Sequence, residues 1–184
     1  MIEGGANNSV ATIPLILDTP RLLLRRWTAA DEEPFHAICS DSLVMRFVGD
    51  GQPWSRERTR AFVEDAIFSQ QQYGFCRWPL VLKESGALIG FGGFVHVEEG
   101  AEIGWRLASH HWGQGLASEA AIAVLKYGFE SLHFQRVNAT VQSGNSASIR
   151  IIEKLGMKLV DRFERDSRDV LRFSLGNPMK PIVR

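Results

Sequence analysis

The chain has 184 residues, 45% of them apolar and 23% charged, enough for one substantial core in an ordinary globular protein. Twenty-one Lys and Arg stand against 21 Asp and Glu, so composition gives no electrostatic case for nucleic acid or an anionic membrane as partner. The two cysteines, Cys39 and Cys76, are too few for a disulfide framework and lack the close pairing of a metal or redox motif, so both are expected to be buried and inert.

Residues 1–14, which include Gly4, Gly5, Asn7 and Asn8, lack the basic cluster and apolar stretch of a signal peptide and read as a flexible leader to one domain spanning 15–184. No apolar run approaches the roughly 20 residues of a membrane span, and the expected compartment is cytoplasmic. Residues 21–27 read as a strand, after which Thr28-Ala29-Ala30-Asp31 resembles a capping box opening a helix toward Ser40. Ser55 can cap a second helix, with Phe62, Val63, Ala66 and Ile67 at helical spacing and Gly74 as its stop.

Three strands follow, at 78–82, 88–97 and 101–107, separated by the turns Glu84-Ser85-Gly86 and Glu98-Glu99-Gly100. Turns this short imply an antiparallel meander. Alternation in the last strand puts Glu102, Gly104 and Arg106 on one face, opposite Ile103, Trp105 and Leu107. Residues 116–131 have the apolar stripe of a helix packed on a sheet. A strand at 136–142, a helix at 146–155 ended by Gly156, and a closing hairpin at 157–163 and 170–175 complete the pattern. The result is one mixed sheet with helices on both faces.

The strongest chemical signal is His110-His111-Trp112-Gly113-Gln114-Gly115-Leu116-Ala117-Ser118-Glu119-Ala120, between a strand and a long helix. Glycine lets backbone N–H groups approach an anion, while a helix's first turn leaves such donors unpaired and its dipole favours negative charge. A phosphate or pyrophosphate fits there; a glycine turn that merely starts a helix is the plain alternative. A Rossmann fingerprint would need a third glycine where Ser118 stands, within a parallel sheet.

The order of elements, this loop, and Asn145-Ser146-Ala147-Ser148-Ile149-Arg150-Ile151-Ile152-Glu153-Lys154-Leu155-Gly156-Met157 together resemble the GNAT superfamily of N-acetyltransferases over residues 17–175. The Trp-Gly-x-Gly-x-Ala-x-Glu-Ala form at 112–120 is most similar to the RimJ/RimL-like branch, whose members acetylate protein N-termini, amino acids or other small amines. That resemblance implies an α/β (α+β) fold with a mixed, mostly antiparallel central sheet. It also implies acetyl-CoA as cosubstrate, no metal, an amine acceptor and a possible homodimer. The matching backbone of Gly113, Gln114, Gly115, Leu116, Ala117 and Ser118 would hold the pyrophosphate. Leu107, Ala108 and Ser109 would flank the pantetheine arm, Asn145 would hydrogen-bond its amide, and the Leu107 N–H would face the oxyanion. Trp112 departs from the Gln or Arg of the general family motif in a way the branch shares.

Transfer to an amine needs a base, since an α-amino group near pKa 8 or a lysine near about 10.4 is mostly protonated at neutral pH. Glu102 is the first candidate, the alternative being an ion pair with Arg106 on the same strand face. Where many relatives carry a tyrosine to protonate the departing thiolate, this chain has Ile152; Ser148 is the substitute, although it can equally be a plain first-turn residue. Asn145 or Ser146 can cap that helix. Ile152 also keeps open a noncatalytic acyl-CoA-binding domain. Phe47, Trp54 and Phe75 could line an acceptor pocket or form a satellite apolar cluster. His96 is an alternative base or a solvent-facing strand residue. Glu119, in a first helical turn, reads as structural.

Overall fold

The computed structural model describes residues 14–98 and 100–178. Apart from Pro14, the expected leader lies outside the described residues. Among these residues, eight strands form one sheet in the order β1-β2-β3-β4-β5-β6-β8-β7. They are β1 (Leu15–Asp18), β2 (Leu22–Arg25), β3 (Arg77–Leu82), β4 (Leu88–Val97), β5 (Gly100–Leu107), β6 (Arg136–Gln142), β7 (Lys158–Arg165) and β8 (Arg168–Gly176). The helices are α1 (Glu32–Cys39), α2 (Ser42–Met45), α3 (Arg56–Tyr73), α4 (Leu116–Glu130) and α5 (Ser146–Lys154). The meander β3-β4-β5 is antiparallel throughout.

Two elements go beyond the sequence reading. β1 is a four-residue strand that pairs, among the described residues, only with β2, and it is too short to announce itself by alternation. The single-turn helix α2 begins where the Asp41 carboxylate accepts the Leu43 N–H at 2.9 Å. At the expected capping box, the Asp31 carboxylate accepts the Thr28 N–H at 2.8 Å and takes both Arg25 donors, at 2.6 and 2.7 Å. Burial pushes the Asp31 carboxyl up, but these bonds outweigh it and hold the group below its ordinary value.

Helices cover both faces, as alternation along β4 dictates. Phe91 packs its ring 5.4 Å from Phe62 of α3 and 6.0 Å from Phe35 of α1. On the opposite face, a Cβ on Gly92 would lie 3.7 Å from Ala120, and one on Gly128 would strike Phe94 at 2.5 Å, so α4 sits close against β4 there. Trp78, Phe94, Leu80 and Val124 are among the side chains shut away from solvent between α4 and the sheet. Among the described residues no helix is long and apolar enough to cross a membrane.

The feature that creates a site is the junction of β5 and β6. These strands run parallel and pair only at Ala101↔Val137 and Glu102↔Asn138. Beyond that point they have no register in common, and the remainder of β5 opens away from β6 as a wedge.

Glu119 fixes the near end of α4. Its carboxylate accepts from Thr19 Oγ1 at 2.7 Å, the Arg21 N–H at 2.8 Å and Arg21 Nε at 2.7 Å, tying α4 to the β1–β2 turn. Burial opposes its ionisation, but these hydrogen bonds prevail and its carboxyl titrates below the ordinary value. The stabilisation is therefore complete above the unfolded-state glutamate pKa and is lost as pH falls through the lower folded value. Glu119→Ala should lower unfolding free energy by about 1–3 kcal/mol in urea denaturation at neutral pH, with the deficit shrinking in acid.

Candidate active site

Two adjoining cavities occupy the wedge. The first, about 370 Å³, is walled by the glycine loop, the start of α4 and the start of α5; the second, about 390 Å³, lies over β5 and β6 and contains Glu102. They share Phe47, Val48, Trp105, Arg106, Asn145 and Ser148, so a molecule spanning both would pass these side chains.

The loop cavity is shaped by two left-handed glycines, Gly113 at φ +74° and Gly115 at φ +78°. Gly115 is the N-cap of α4, and the first bond of the helical ladder runs from the Glu119 N–H to the Gly115 carbonyl at 3.0 Å. The N–H groups of Leu116, Ala117 and Ser118 precede that ladder, and all three residues line the cavity. Donors at the positive end of a 15-residue helix suit a phosphate-type anion. Arg21 braces the loop from behind, with Nη1 donating to the Gln114 carbonyl at 2.9 Å. The side chain of Gln114 turns to the His110 carbonyl at 3.1 Å.

Trp112 has a structural reason to replace Gln or Arg: its indole Nε1 donates to the Leu107 carbonyl at 2.9 Å, clipping the loop to the end of β5. Ala108 is buried, and its N–H bonds the Ile89 carbonyl of β4 at 2.9 Å. Successive N–H groups of an extended strand point to opposite edges, so the Leu107 N–H faces the wedge. Ser109 does not contribute to the cavity wall; its hydroxyl donates to Asp41 at 2.6 Å and ties the loop to α2.

Asn145 caps α5, its Oδ1 accepting the Ser148 N–H at 3.2 Å. That bond occupies one end of the amide and leaves Nδ2 as a donor toward the shared wall. Ser148 lies one turn into α5 at the junction of the cavities, whereas buried Ile152 offers the second cavity only a hydrocarbon surface.

Glu102, Gly104 and Arg106 line the second cavity together with Ile103 and Trp105, and the alternative reading of Glu102 as a surface ion pair with Arg106 is not realised. Arg106 is 8% exposed and donates through Nη1 to Cys39 Sγ at 3.1 Å. Its guanidinium lies 4.3 Å from the Trp54 ring and 5.2 Å from Phe91. Burial raises the Cys39 thiol despite the nearby arginine, and pushes Cys76 up to about 12, so both stay protonated and inert at neutral pH, as expected.

Phe47 and Trp54 line the second cavity; Phe75 and His96 do not, and this corrects their place in the expected acceptor pocket. Phe75 is buried on the α4 side of the sheet, its ring 6.2 Å from Phe94 and 5.1 Å from Phe134. His96, also of opposite parity to Phe91 on β4, stacks on Tyr73 with ring centres 4.6 Å apart. Sequence reading also missed Arg77, which lines the cavity from β3. Among the described residues no cluster of three His, Cys, Asp or Glu could hold a metal.

Residues 21–158 match the sequence family described as the acetyltransferase (GNAT) domain. The chain belongs to the GNAT acetyltransferases. It is 32% identical over 151 residues to the uncharacterized N-acetyltransferase YnaD of Bacillus subtilis, covering 81% of this chain and 86% of that one. The crystal structure of a GNAT-family acetyltransferase from Bacillus anthracis superposes with a TM-score of 0.78 at 31% identity, over 89% of this chain and 99% of that one. RimL, a ribosomal L7/L12 alpha-N-protein acetyltransferase solved in complex with coenzyme A, shares the fold with a TM-score of 0.77 at 19% identity, over 89% of this chain and 98% of that one. This GNAT chain is thus an N-acetyltransferase, and the noncatalytic alternative gives way to an enzyme.

Proposed function

We propose that this enzyme transfers an acetyl group from acetyl-CoA directly to a primary amine held in the second cavity. The observation that carries the reading is the meeting of the two cavities at Asn145, Ser148 and Trp105. One of them is walled by unpaired helix N–H groups and the other by a carboxylate.

In this reading the Leu116, Ala117 and Ser118 N–H groups hold the pyrophosphate, and Asn145 Nδ2 donates to the pantetheine arm. Glu102 takes the amine's proton, directly or through a water, because only the neutral amine is a nucleophile. The nitrogen forms its bond to the thioester carbon, the carbonyl electrons move onto oxygen facing the Leu107 N–H, and their return breaks the C–S bond. The Ser148 hydroxyl gives its proton to the departing sulfur and recovers one as the nitrogen sheds its second proton on becoming an amide, a task closed to Ile152. Protein N-termini, free amino acids and other small amines all satisfy this chemistry.

The test is thermal unfolding with CoA, acetyl-CoA and NAD. A ligand at 100 times its dissociation constant adds about 2.7 kcal/mol, so both CoA forms should raise Tm and NAD should not. Thiol release from acetyl-CoA that depends on added amine would complete the case. Absence of stabilisation by either CoA form would overturn it.

A further inference from the structure

The second cavity carries more positive charge than a base and a nucleophile require. Five of its lining residues are arginines, against the carboxylates Glu102 and Asp166. Arg58, Arg165 and Arg168 stand toward the rim, where Arg168 spends its donors on the Gln142 side chain at 3.1 Å and the Asp50 carbonyl at 2.6 Å. Arg77 and Arg106 lie deeper, and the ion pairs among the described residues include neither.

Their placement is a product of sheet register. Arg77 pairs with Gly93, and Gly93 with Gly104, so a row with two glycines runs from β3 to β5. A Cβ on Gly104 would sit 3.6 Å from Arg77 Nε and 3.9 Å from its Nη2. The glycine thus leaves a bare strip on which the Arg77 side chain lies across the sheet toward Glu102. Arg106 reaches the same space from the same face of β5.

Three buried donors, Trp54 Nε1, Arg77 Nε and Arg106 Nε, have no hydrogen-bond partner among the described residues, and all three residues line this one cavity. A buried guanidinium without an anionic partner is costly, and leaving such donors unpaired adds to the cost. Burial pulls the Arg77 guanidinium down to about 10, against the favourable field of Glu102, so it remains charged at neutral pH. An anion arriving with the substrate would satisfy both cations. A polyamine would add positive charge to a cavity that already has an excess of it.

We infer that the acceptor is a small primary amine carrying a carboxylate, an α-amino acid being the simplest form, with its carboxylate at Arg77 and Arg106 and its amine at Glu102. A zwitterion matches this pattern, since one carboxylate stands beside two guanidiniums on one face of the sheet, Arg77 from β3 and Glu102 and Arg106 from β5. Arginine is suited to the task, its fork matching a carboxylate through two parallel hydrogen bonds. This assignment rests on the acetyl-transfer reading above.

The experiment measures CoA release with the twenty amino acids, their carboxamides and spermidine, on enzyme first tested for stabilisation by acetyl-CoA. Removing a charge-assisted pair costs about 10- to 100-fold, so at least one acid should exceed its own amide by that ratio in kcat/KM. Arg77→Gln should bring the ratio toward unity through KM of the acid alone, since the amide has no charge to lose. Arg106→Met, which keeps the packing on Trp54 and Phe91, should act likewise. Amides or spermidine reacting as fast as the acids, or no acid reacting at all, would overturn the assignment while acetyl-CoA binding stood. The wild-type panel gives that answer even if a variant fails to fold. Failure of acetyl-CoA to bind would instead remove the acetyl-transfer reading, and this inference with it.

Discussion

Gly115→Val is expected to weaken acetyl-CoA binding at least about 100-fold, equivalent to about 2.7 kcal/mol, in a protein that still folds. Gly115 holds φ +78° and ψ 0° as the N-cap of α4, a region that a β-branched residue enters only with strain. Crowding is not the cause, because an added Cβ would stand 3.6 Å from the Arg21 guanidinium, an ordinary contact. The damage is conformational. Relieving the valine's φ rotates the peptide that precedes Leu116, and the three leading N–H groups of α4 lose their common direction. The Glu119 bonds to Thr19 and Arg21 hold α4 in place, so the change stays local. Titration calorimetry with acetyl-CoA, beside far-UV circular dichroism to verify folding, gives the comparison. Wild-type affinity in a folded Gly115→Val protein would sink the loop's assignment to the pyrophosphate.

That loop was legible because its signal is local. Two glycines at fixed spacing before an apolar-striped helix specify left-handed backbone and free donors without reference to the rest of the chain. The meander, the Asn145 cap and the parity that puts Glu102 with Arg106 were readable for the same reason: turns and alternation act over a few residues. Strand β1 was not. Its four residues owe their extended form to pairing with β2, a partner that no local pattern names.

The second cavity was legible only in part. Phe47 and Trp54 do line it, but Phe75 packs on Phe94 and His96 has the opposite parity to Phe91 on β4, which puts both on the α4 side. Arg77 gave no sign of its role, since an arginine at the start of a strand ordinarily snorkels to water. Its role depends on Gly93 and Gly104, which lie 16 and 27 positions away in sequence and become its neighbours only through register. A surface pair of Arg106 with Glu102 was the alternative to Glu102 as base, and it is not formed because Trp54, Phe35 and Phe91 enclose Arg106. Non-local packing decided each of these, and it also decided the wedge, whose opening follows from how few residues β5 and β6 pair.

The same wedge sets the expectation for Glu102→Gln: turnover at neutral pH should fall about 100-fold, within the usual range for loss of a general base, while acetyl-CoA affinity is unchanged. Glu102 sits at the last β5–β6 pair and lines only the second cavity, away from the glycine loop, so the substitution spares the cofactor side. Glutamine keeps the shape and the hydrogen-bonding capacity but cannot accept the proton. The deficit should have a direction in pH. As pH rises past the acceptor's own amine pKa, about 8 for a protein N-terminus and higher for a free amino acid, more of the acceptor arrives already neutral, the base has less to do, and the variant should approach wild type. A fall in turnover that persisted equally at high pH would mean that Glu102 orients the amine rather than deprotonating it. Unaltered turnover at neutral pH would take Glu102 out of the reaction and leave the proton to solvent at the open end of the cavity.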